Sequence, residues 1–208
     1  MAYDLEEQEQ LDELKAWWRS HGKLVTLGVG VALAAFAAYQ GWQIYQHRQA
    51  MQASAQYDGL LLMNDKDAKG LRAISGQLME NYAGTAYAPR AALLAAKANY
   101  SANDAKSAKA QLEWTITHAR EEPLRAIAQL QLAAIQFDEK QYDVALKTLG
   151  EKHDAAFDGL IADLKGDILT AQGKTVEARS AYAEALAKLD AQGRYHRYTE
   201  LKLDALGS

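Results

Sequence analysis

The longest apolar stretch of the chain lies near its start. Residues 24–45 read LVTLGVGVALAAFAAYQGWQIY and contain no charged side chain. As an α-helix this stretch spans roughly 33 Å, at about 1.5 Å per residue, which is enough for a hydrocarbon core of about 30 Å. Trp17 and Trp18 precede it, and Trp42 and Tyr45 lie near its end, as aromatic residues do at the two faces of a membrane. The pattern predicts one transmembrane helix.

The cations that flank this helix predict its orientation. Lys15, Arg19 and Lys23 precede it, whereas only Arg48 follows closely. Because segments rich in Lys and Arg stay in the cytoplasm, we expect the N-terminus there and the rest of the chain on the other side of the membrane. The predicted divisions are an acidic cytoplasmic tail with an amphipathic lead-in at residues 1–23, the transmembrane helix at 24–45, and an external helical domain at 46–208.

A cleaved signal peptide is the main alternative interpretation of this segment. Ala35-Phe36-Ala37 fits the A-x-A cleavage pattern. However, the preceding region is long and begins acidic, and apolar residues continue past that point through Trp42. These features favour an uncleaved anchor, and N-terminal sequencing of the mature protein separates the two interpretations.

Small residues recur along one side of the predicted membrane helix. Gly30, Ala34 and Ala38 follow each other at intervals of four, and Ala37 and Gly41 form a second such pair. Rows of this kind let another helix approach closely, so these five residues are a candidate membrane helix-packing face. The alternative is that small residues are common throughout this alanine-rich segment.

Beyond Arg48 the apolar residues recur at intervals of three and four, which is typical of amphipathic helices. One such row is formed by Leu124, Ile127, Leu130, Ala134 and Phe137. Polar pairs mark the expected turns between helices of about 13 to 16 residues, and Gly150 and Gly193 resemble helix ends. The predicted turn pairs are Asn103-Asp104, Lys140-Gln141 and Gly173-Lys174.

The helices also repeat. Six residues match positions 8, 11, 15, 20, 24 and 27 of a tetratricopeptide repeat: Gly166, Leu169, Gly173, Ala178, Tyr182 and Ala185. The equivalent alanines Ala108, Ala145 and Ala178 are 37 and 33 residues apart, close to the period of 34. We therefore predict an all-α protein: a tetratricopeptide-repeat-like antiparallel helical solenoid, with a weaker first pair near 49–64 and 68–82 and a C-terminal capping helix at about 194–206.

Composition and motifs argue against several function classes. The net charge of -4 does not favour a nucleic-acid partner, and the absence of cysteine removes thiolate chemistry and disulfides. The histidines are scattered without an H-x-x-x-H pair, and no phosphate loop or nucleophile motif is present. Asp163 and Asp167 lie one turn apart, but we expect a solvated polar helix face there rather than acid–base chemistry. We predict no enzyme activity, no cofactor and no metal.

A protein-binding groove is the more useful prediction. In stacked repeats the first helix of each pair lines the concave side. The candidate groove residues are Arg90, Leu93, Lys97, Tyr100, Ile127, Leu130, Phe137 and Leu160, with Ala134, Asp163, Asp167 and Thr170 at further groove positions. Each apolar member has an alternative role in the core between helices.

Several stretches resemble a known family. These are the anchor with its exit GWQIYQHRQA, then YAPRAALLAAKANY, AIAQLQLAAIQFDEKQYDVALKTL and LIADLKGDILTAQGKTVEARSAYAEAL. In this order they are similar to the YfgM-type ancillary subunits of the bacterial SecYEG translocon. The resemblance implies a single-pass inner-membrane protein with a periplasmic repeat domain. It also implies association with SecYEG and with a membrane-anchored periplasmic prolyl-isomerase-like chaperone, and transfer of exported polypeptides to periplasmic chaperones.

Two functional hypotheses remain for an uncleaved anchor, and a soluble periplasmic adaptor is a third if the anchor is cleaved. The first is an accessory of the translocon that links exported proteins to periplasmic chaperones by protein–protein binding. The second is a membrane-anchored scaffold for envelope assembly or cell division, without contact to exported chains. The proteins retained by the intact membrane complex distinguish them.

Overall fold

The computed structural model describes residues 2–63 and 67–207, with side chains from Gln10 onward. Within these ranges the chain forms nine α-helices and one short 3-10 turn, and no β-strand. The helices are α1 (Ala2–Leu61), α2 (Ala68–Asn81), α3 (Tyr87–Ser101), α4 (Ala105–His118), α5 (Glu122–Asp138), α6 (Tyr142–Leu149), α7 (Asp158–Ala171), α8 (Thr175–Lys188) and α9 (Arg194–Ala205). The predicted all-α class is confirmed. The chain divides into two compact units, Met1–Gln49 and Ala50–Ser208.

The first unit is the part of α1 that ends at Gln49, and its large apolar side chains are exposed. Leu24 is 69% exposed, Leu27 65% and Phe36 61%. The helix is long and apolar enough to cross a membrane, and none of its most apolar window is buried within the protein. A helix satisfies its own backbone hydrogen bonds, so lipid can cover such a surface whereas water solvates it poorly. The chain is therefore a membrane-anchored protein.

The second unit is a series of helical hairpins. The last turns of α1 share a hydrophobic cluster with α2 and α3. α3 packs with α4, α5 with α6, and α7 with α8, while α9 follows as a single helix. Alanine forms much of the core, and Ala95, Ala108, Ala145 and Ala178 are completely buried. Their small side chains let neighbouring helices approach closely, which explains why alanine recurs at these positions. The predicted C-terminal capping helix is α9.

Three hairpins share one turn geometry. Asn103 (φ 61°), Lys140 (φ 61°) and Gly173 (φ 74°) each follow the end of the first helix in a left-handed conformation. In each turn the next backbone N–H donates to a carbonyl five residues back: Asp104 to Asn99 (2.8 Å), Gln141 to Gln136 (2.8 Å) and Lys174 to Leu169 (2.9 Å). This bond occurs in the Schellman type of helix ending. The polar pairs that the sequence places at turns thus form three equivalent structures.

A close contact between helices lies inside the hairpin of α7 and α8. A Cβ atom on Gly166 of α7 would lie 2.4 Å from Cε1 of Tyr182 on α8. Tyr182 is 2% exposed, so its ring has little room to move. Only glycine fits at this position without rearrangement, which is the packing expected of repeat position 8.

The hairpin of α5 and α6 departs from the expected helix length. Its second helix α6 has 8 residues, whereas α4 and α8 have 14 each. Gly150 ends α6 as expected, and a 3-10 turn at Ala155–Phe157 then leads into α7. The shortened helix borders a cleft of about 360 Å³ between α6, α7 and α8. Gly193 does not end a helix, because α8 already stops at Lys188; it precedes α9 in an extended conformation.

Candidate protein-binding surface

Arg90, the first candidate groove residue, is held by an ion pair. Its guanidinium nitrogens donate two hydrogen bonds of 2.8 Å to the carboxylate of Glu121, which precedes α5, and a third bond of 2.7 Å to the Ala86 carbonyl. The hydrogen bonds with Arg90 lower the pKa of Glu121 below its usual value. Arg90 thus joins α3 to the start of α5.

The apolar groove candidates are partly engaged in the core. Leu93 packs against the cluster between α3, α4 and α5. Leu130 and Phe137 pack against the cluster between α5, α6 and α7. Ile127 and Leu160 are half-buried. Most of these side chains therefore contribute to helix packing, and part of their surface stays accessible.

Lys97 and Tyr100 line cavities on α3. Both residues border a cavity of about 200 Å³ that also involves α4 and α5. The Tyr100 hydroxyl donates a hydrogen bond to the carboxylate of Asp138 on α5, and this bond raises the pKa of Tyr100. Lys97 also borders a second cavity of about 380 Å³, formed with the end of α1 and the start of α2. The structure brings these two predicted residues together at the α3–α5 surface.

The acidic pair on α7 does not form the solvated face that we expected. Lys202 of α9 donates hydrogen bonds of 2.7 Å to both Asp163 and Asp167, and the Thr199 hydroxyl donates to Asp163 at 2.8 Å. Burial by itself lowers the pKa of Lys202, but its bonds to the two carboxylates outweigh this effect and raise it. The Tyr182 hydroxyl donates to Asp167 at 2.8 Å. α9 therefore covers this part of the predicted groove, because its Lys202 and Thr199 side chains bond to the two carboxylates.

Ser101 and the leucines of the larger cavity were missed by the sequence analysis. The cavity is lined by Leu60, Leu61, Leu71, Leu94, Lys97, Ala98, Ser101 and Ala102. Leu94 and Ala98 adjoin the groove positions on α3, and their spacing alone indicates a core role. Whether they face a cavity depends on how the end of α1 and the start of α2 pack against α3. Helical periodicity does not predict that packing.

The membrane helix-packing candidates all lie on the exposed surface of α1. Gly30, Ala34, Ala37, Ala38 and Gly41 are exposed along this helix. Apart from the backbone of its own helix, a Cβ atom built on Gly30 or Gly41 would meet no atom of the described residues within 4 Å. Contacts among the described residues therefore do not explain why these two positions lack a side chain. That a second membrane helix packs against them stays a prediction.

Comparisons with known proteins give consistent matches. Residues 15–208 match the family model of the tetratricopeptide repeat-like domain. A protein of Haemophilus influenzae named "Ancillary SecYEG translocon subunit" is 35% identical over 89% of this chain and 91% of its own length. A protein of Neisseria gonorrhoeae with the same name is 30% identical over 99% of this chain and its entire length. One from Escherichia coli, also so named, is 28% identical over 96% of both chains. No solved structure matches significantly.

Proposed function

This chain belongs to the tetratricopeptide repeat-like family of ancillary SecYEG translocon subunits, and from that premise we propose that it is a membrane-tethered adaptor of the translocon. Its membrane helix holds the repeat domain beside the channel, and the repeat domain binds polypeptides. Binding requires no chemical step. The adaptor links exported chains to periplasmic chaperones, with a membrane-anchored prolyl-isomerase-like chaperone as the fixed partner that the family resemblance implies.

The observation that carries this proposal is the combination of an exposed apolar helix with an accessible surface on α3 and α5. Tethering confines the domain to the membrane, which raises its effective concentration near the channel exit. At this raised concentration a weak and reversible binding site is sufficient for the domain to capture its partners. The two cavities at Lys97 supply apolar surface for such a site.

The first test is recovery of the intact complex from membranes in mild detergent. We expect SecYEG subunits and a periplasmic chaperone to co-purify with the wild-type chain. Ser101→Trp places a large side chain at both cavities and is expected to reduce recovery of chaperone or exported chains, while the anchor still retains the channel. Ser180→Trp, at an exposed position on α8, is the matched control and is expected to behave as wild type.

Recovery of division or envelope-assembly proteins without SecYEG would instead favour the scaffold hypothesis and contradict the proposal. Equal recovery of all partners with Ser101→Trp and Ser180→Trp would contradict the role of the α3–α5 surface.

The proposed orientation has its own test. Lys15, Arg19 and Lys23 precede the membrane helix, so the N-terminus is proposed to be cytoplasmic and the repeats periplasmic. Protease added to spheroplasts is expected to digest the repeats and to spare the N-terminal tail. Survival of the repeats, while a periplasmic control protein is degraded, would reverse the orientation.

A further inference from the structure

Two cavities flank α3 and share the same two side chains. The larger, of about 380 Å³, lies toward α1 and α2, and the smaller, of about 200 Å³, lies toward α5. Lys97 and Ser101, one helical turn apart, line both of them. A cavity of about 150 Å³ is enough to hold a benzene molecule. Each cavity therefore has room for one large apolar side chain.

Most of the wall of each cavity is apolar. Aliphatic side chains of α1, α2 and α3 dominate the larger one: Leu60, Leu61, Leu71, Leu94 and Ala98. Leu61 remains 55% exposed at its edge. The smaller cavity is walled by Leu112 of α4 and by Ala134 and Ile135 of α5. Burial of a leucine or phenylalanine side chain in such sites is favourable, because it removes apolar surface from water.

Lys97 gives the site its charge. It is exposed and forms no ion pair with any side chain described in residues 10–63 and 67–207. It is the only charged residue among the described residues that line the larger cavity. Asp138, an acidic residue that lines the smaller cavity, already accepts the hydrogen bond of the Tyr100 hydroxyl. The ridge between the cavities thus presents an ammonium group that complements a carboxylate.

The spacing of the cavities limits the occupant. They lie on either side of one helix, whose diameter with side chains is about 10–12 Å. In an extended chain, residues two and four positions apart point to the same side, and four positions span roughly 13 Å. Two hydrophobic side chains at i and i+4 therefore reach both cavities, and the residue at i+2 then faces Lys97.

We propose that the α3–α5 surface binds an extended polypeptide segment of the pattern hydrophobic-x-acidic-x-hydrophobic, with the acidic side chain on Lys97. This inference rests on the proposed function, since it names the class of segment that the adaptor recognises. The charge of Lys97 gives the site a sequence preference that a purely apolar surface lacks.

The test uses the full-length chain in lipid nanodiscs and two end-capped fluorescent peptides, Leu-Ser-Glu-Ser-Leu and Leu-Ser-Lys-Ser-Leu. Fluorescence anisotropy measures their dissociation constants. We expect the glutamate peptide to bind about fivefold more tightly, the size that an exposed ion pair of up to about 1 kcal/mol allows. Lys97→Glu is expected to reverse the preference in favour of the lysine peptide.

Two further variants serve as controls. One separates the effect of charge at the site from that of net charge, and the other separates loss of binding from loss of folding. Lys106→Glu changes the net charge equally, at an exposed position on α4 outside both cavities, and is expected to keep the wild-type preference. Ser101→Trp is expected to weaken both peptides at least tenfold with an unchanged circular dichroism spectrum.

Equal affinity for the two peptides, no binding of either, or the same response to Lys97→Glu and Lys106→Glu would each overturn the inference. Such a result leaves the proposed function intact if SecYEG still co-purifies. Loss of SecYEG with a retained peptide preference would have the opposite meaning, because the proposed function would then fail while the site remained.

Discussion

At the scale of single residues, contact distance between helices decides what the chain tolerates. Gly166 lies against the buried ring of Tyr182, and its missing side chain is what lets α7 and α8 meet. Gly76 of α2 is also helical, but a Cβ atom there would meet nothing within 4 Å. The two glycines have the same intrinsic helix propensity but opposite packing environments. Substitution of each by alanine therefore separates the effect of helix propensity on stability from the effect of packing.

We predict that Gly166→Ala lowers the free energy of unfolding by about 1–3 kcal/mol, because an added methyl group overpacks the interface. Gly76→Ala should raise it by about 0.5–1 kcal/mol through helix propensity. Urea unfolding of the full chain in detergent, followed by circular dichroism, measures both. Equal shifts in the same direction would show that the contact with Tyr182 does not limit this position.

The sequence predicted Gly166 correctly because a repeat position specifies its neighbour within the same hairpin. It failed for Asp163 and Asp167, whose partner Lys202 is 39 and 35 residues away. Nothing in the local pattern indicates that α9 returns to α7. Short-range packing could be inferred here from periodicity, whereas contacts set by the path of the last helix could not.

At the scale of elements, the turns show how one backbone geometry accepts three different residues. The left-handed conformation is costly for most side chains and free of that cost for glycine. Gly173 suits its turn, and asparagine tolerates this conformation better than most residues. Lys140 is the least suited of the three, although its backbone follows the same path.

We therefore predict that Lys140→Gly stabilises the fold by about 0.5–1 kcal/mol, because relief of the left-handed conformation outweighs the added freedom of glycine in the unfolded chain. The reciprocal change Gly173→Lys should destabilise it by about 1–2 kcal/mol. Thermal unfolding of the two variants beside the wild type provides the measurement. A loss of stability in Lys140→Gly would mean that the lysine side chain makes a contact that outweighs its backbone cost.

The capping helix α9 depends on a charge cluster as well as on apolar packing. Lys202 joins Asp163 and Asp167, whose side chains are only 17% and 26% exposed. Removal of the cation leaves two partly buried carboxylates close together. Carboxylates without their cation cost more than the ion pair itself contributes, so we expect the docking of α9 to depend on Lys202.

Lys202→Met is expected to destabilise the docked helix by about 1–3 kcal/mol. The triple variant Lys202→Met, Asp163→Asn, Asp167→Asn should recover part of that loss, because neutral amides tolerate burial better than unpaired carboxylates. Amide hydrogen exchange within α9 reports the difference directly. Unchanged protection in Lys202→Met would show that apolar contacts alone hold the helix.

At the scale of the whole molecule, the sequence predicted the class of the fold, the order of the helices and the cap. These features follow from patterns that each segment carries by itself: an uncharged run, helical periodicity and a repeat period. The candidate binding surface, by contrast, could be described only with the structure. Of the predicted groove residues, Lys97, Tyr100 and Ala134 line cavities, and Arg90 is held by Glu121. Leu93, Leu130 and Phe137 pack against the core.

We propose that this membrane-tethered chain meets its polypeptide partners through the α3–α5 surface. A photo-crosslinking amino acid placed at Lys97, compared with one at Val176, an 80% exposed position on α8, tests this claim in intact cells. We predict that the probe at Lys97 captures translocon subunits, a periplasmic chaperone or exported chains, and that the probe at Val176 captures few or none. Equal capture from both positions, or none from Lys97 while SecYEG still co-purifies, would contradict the claim.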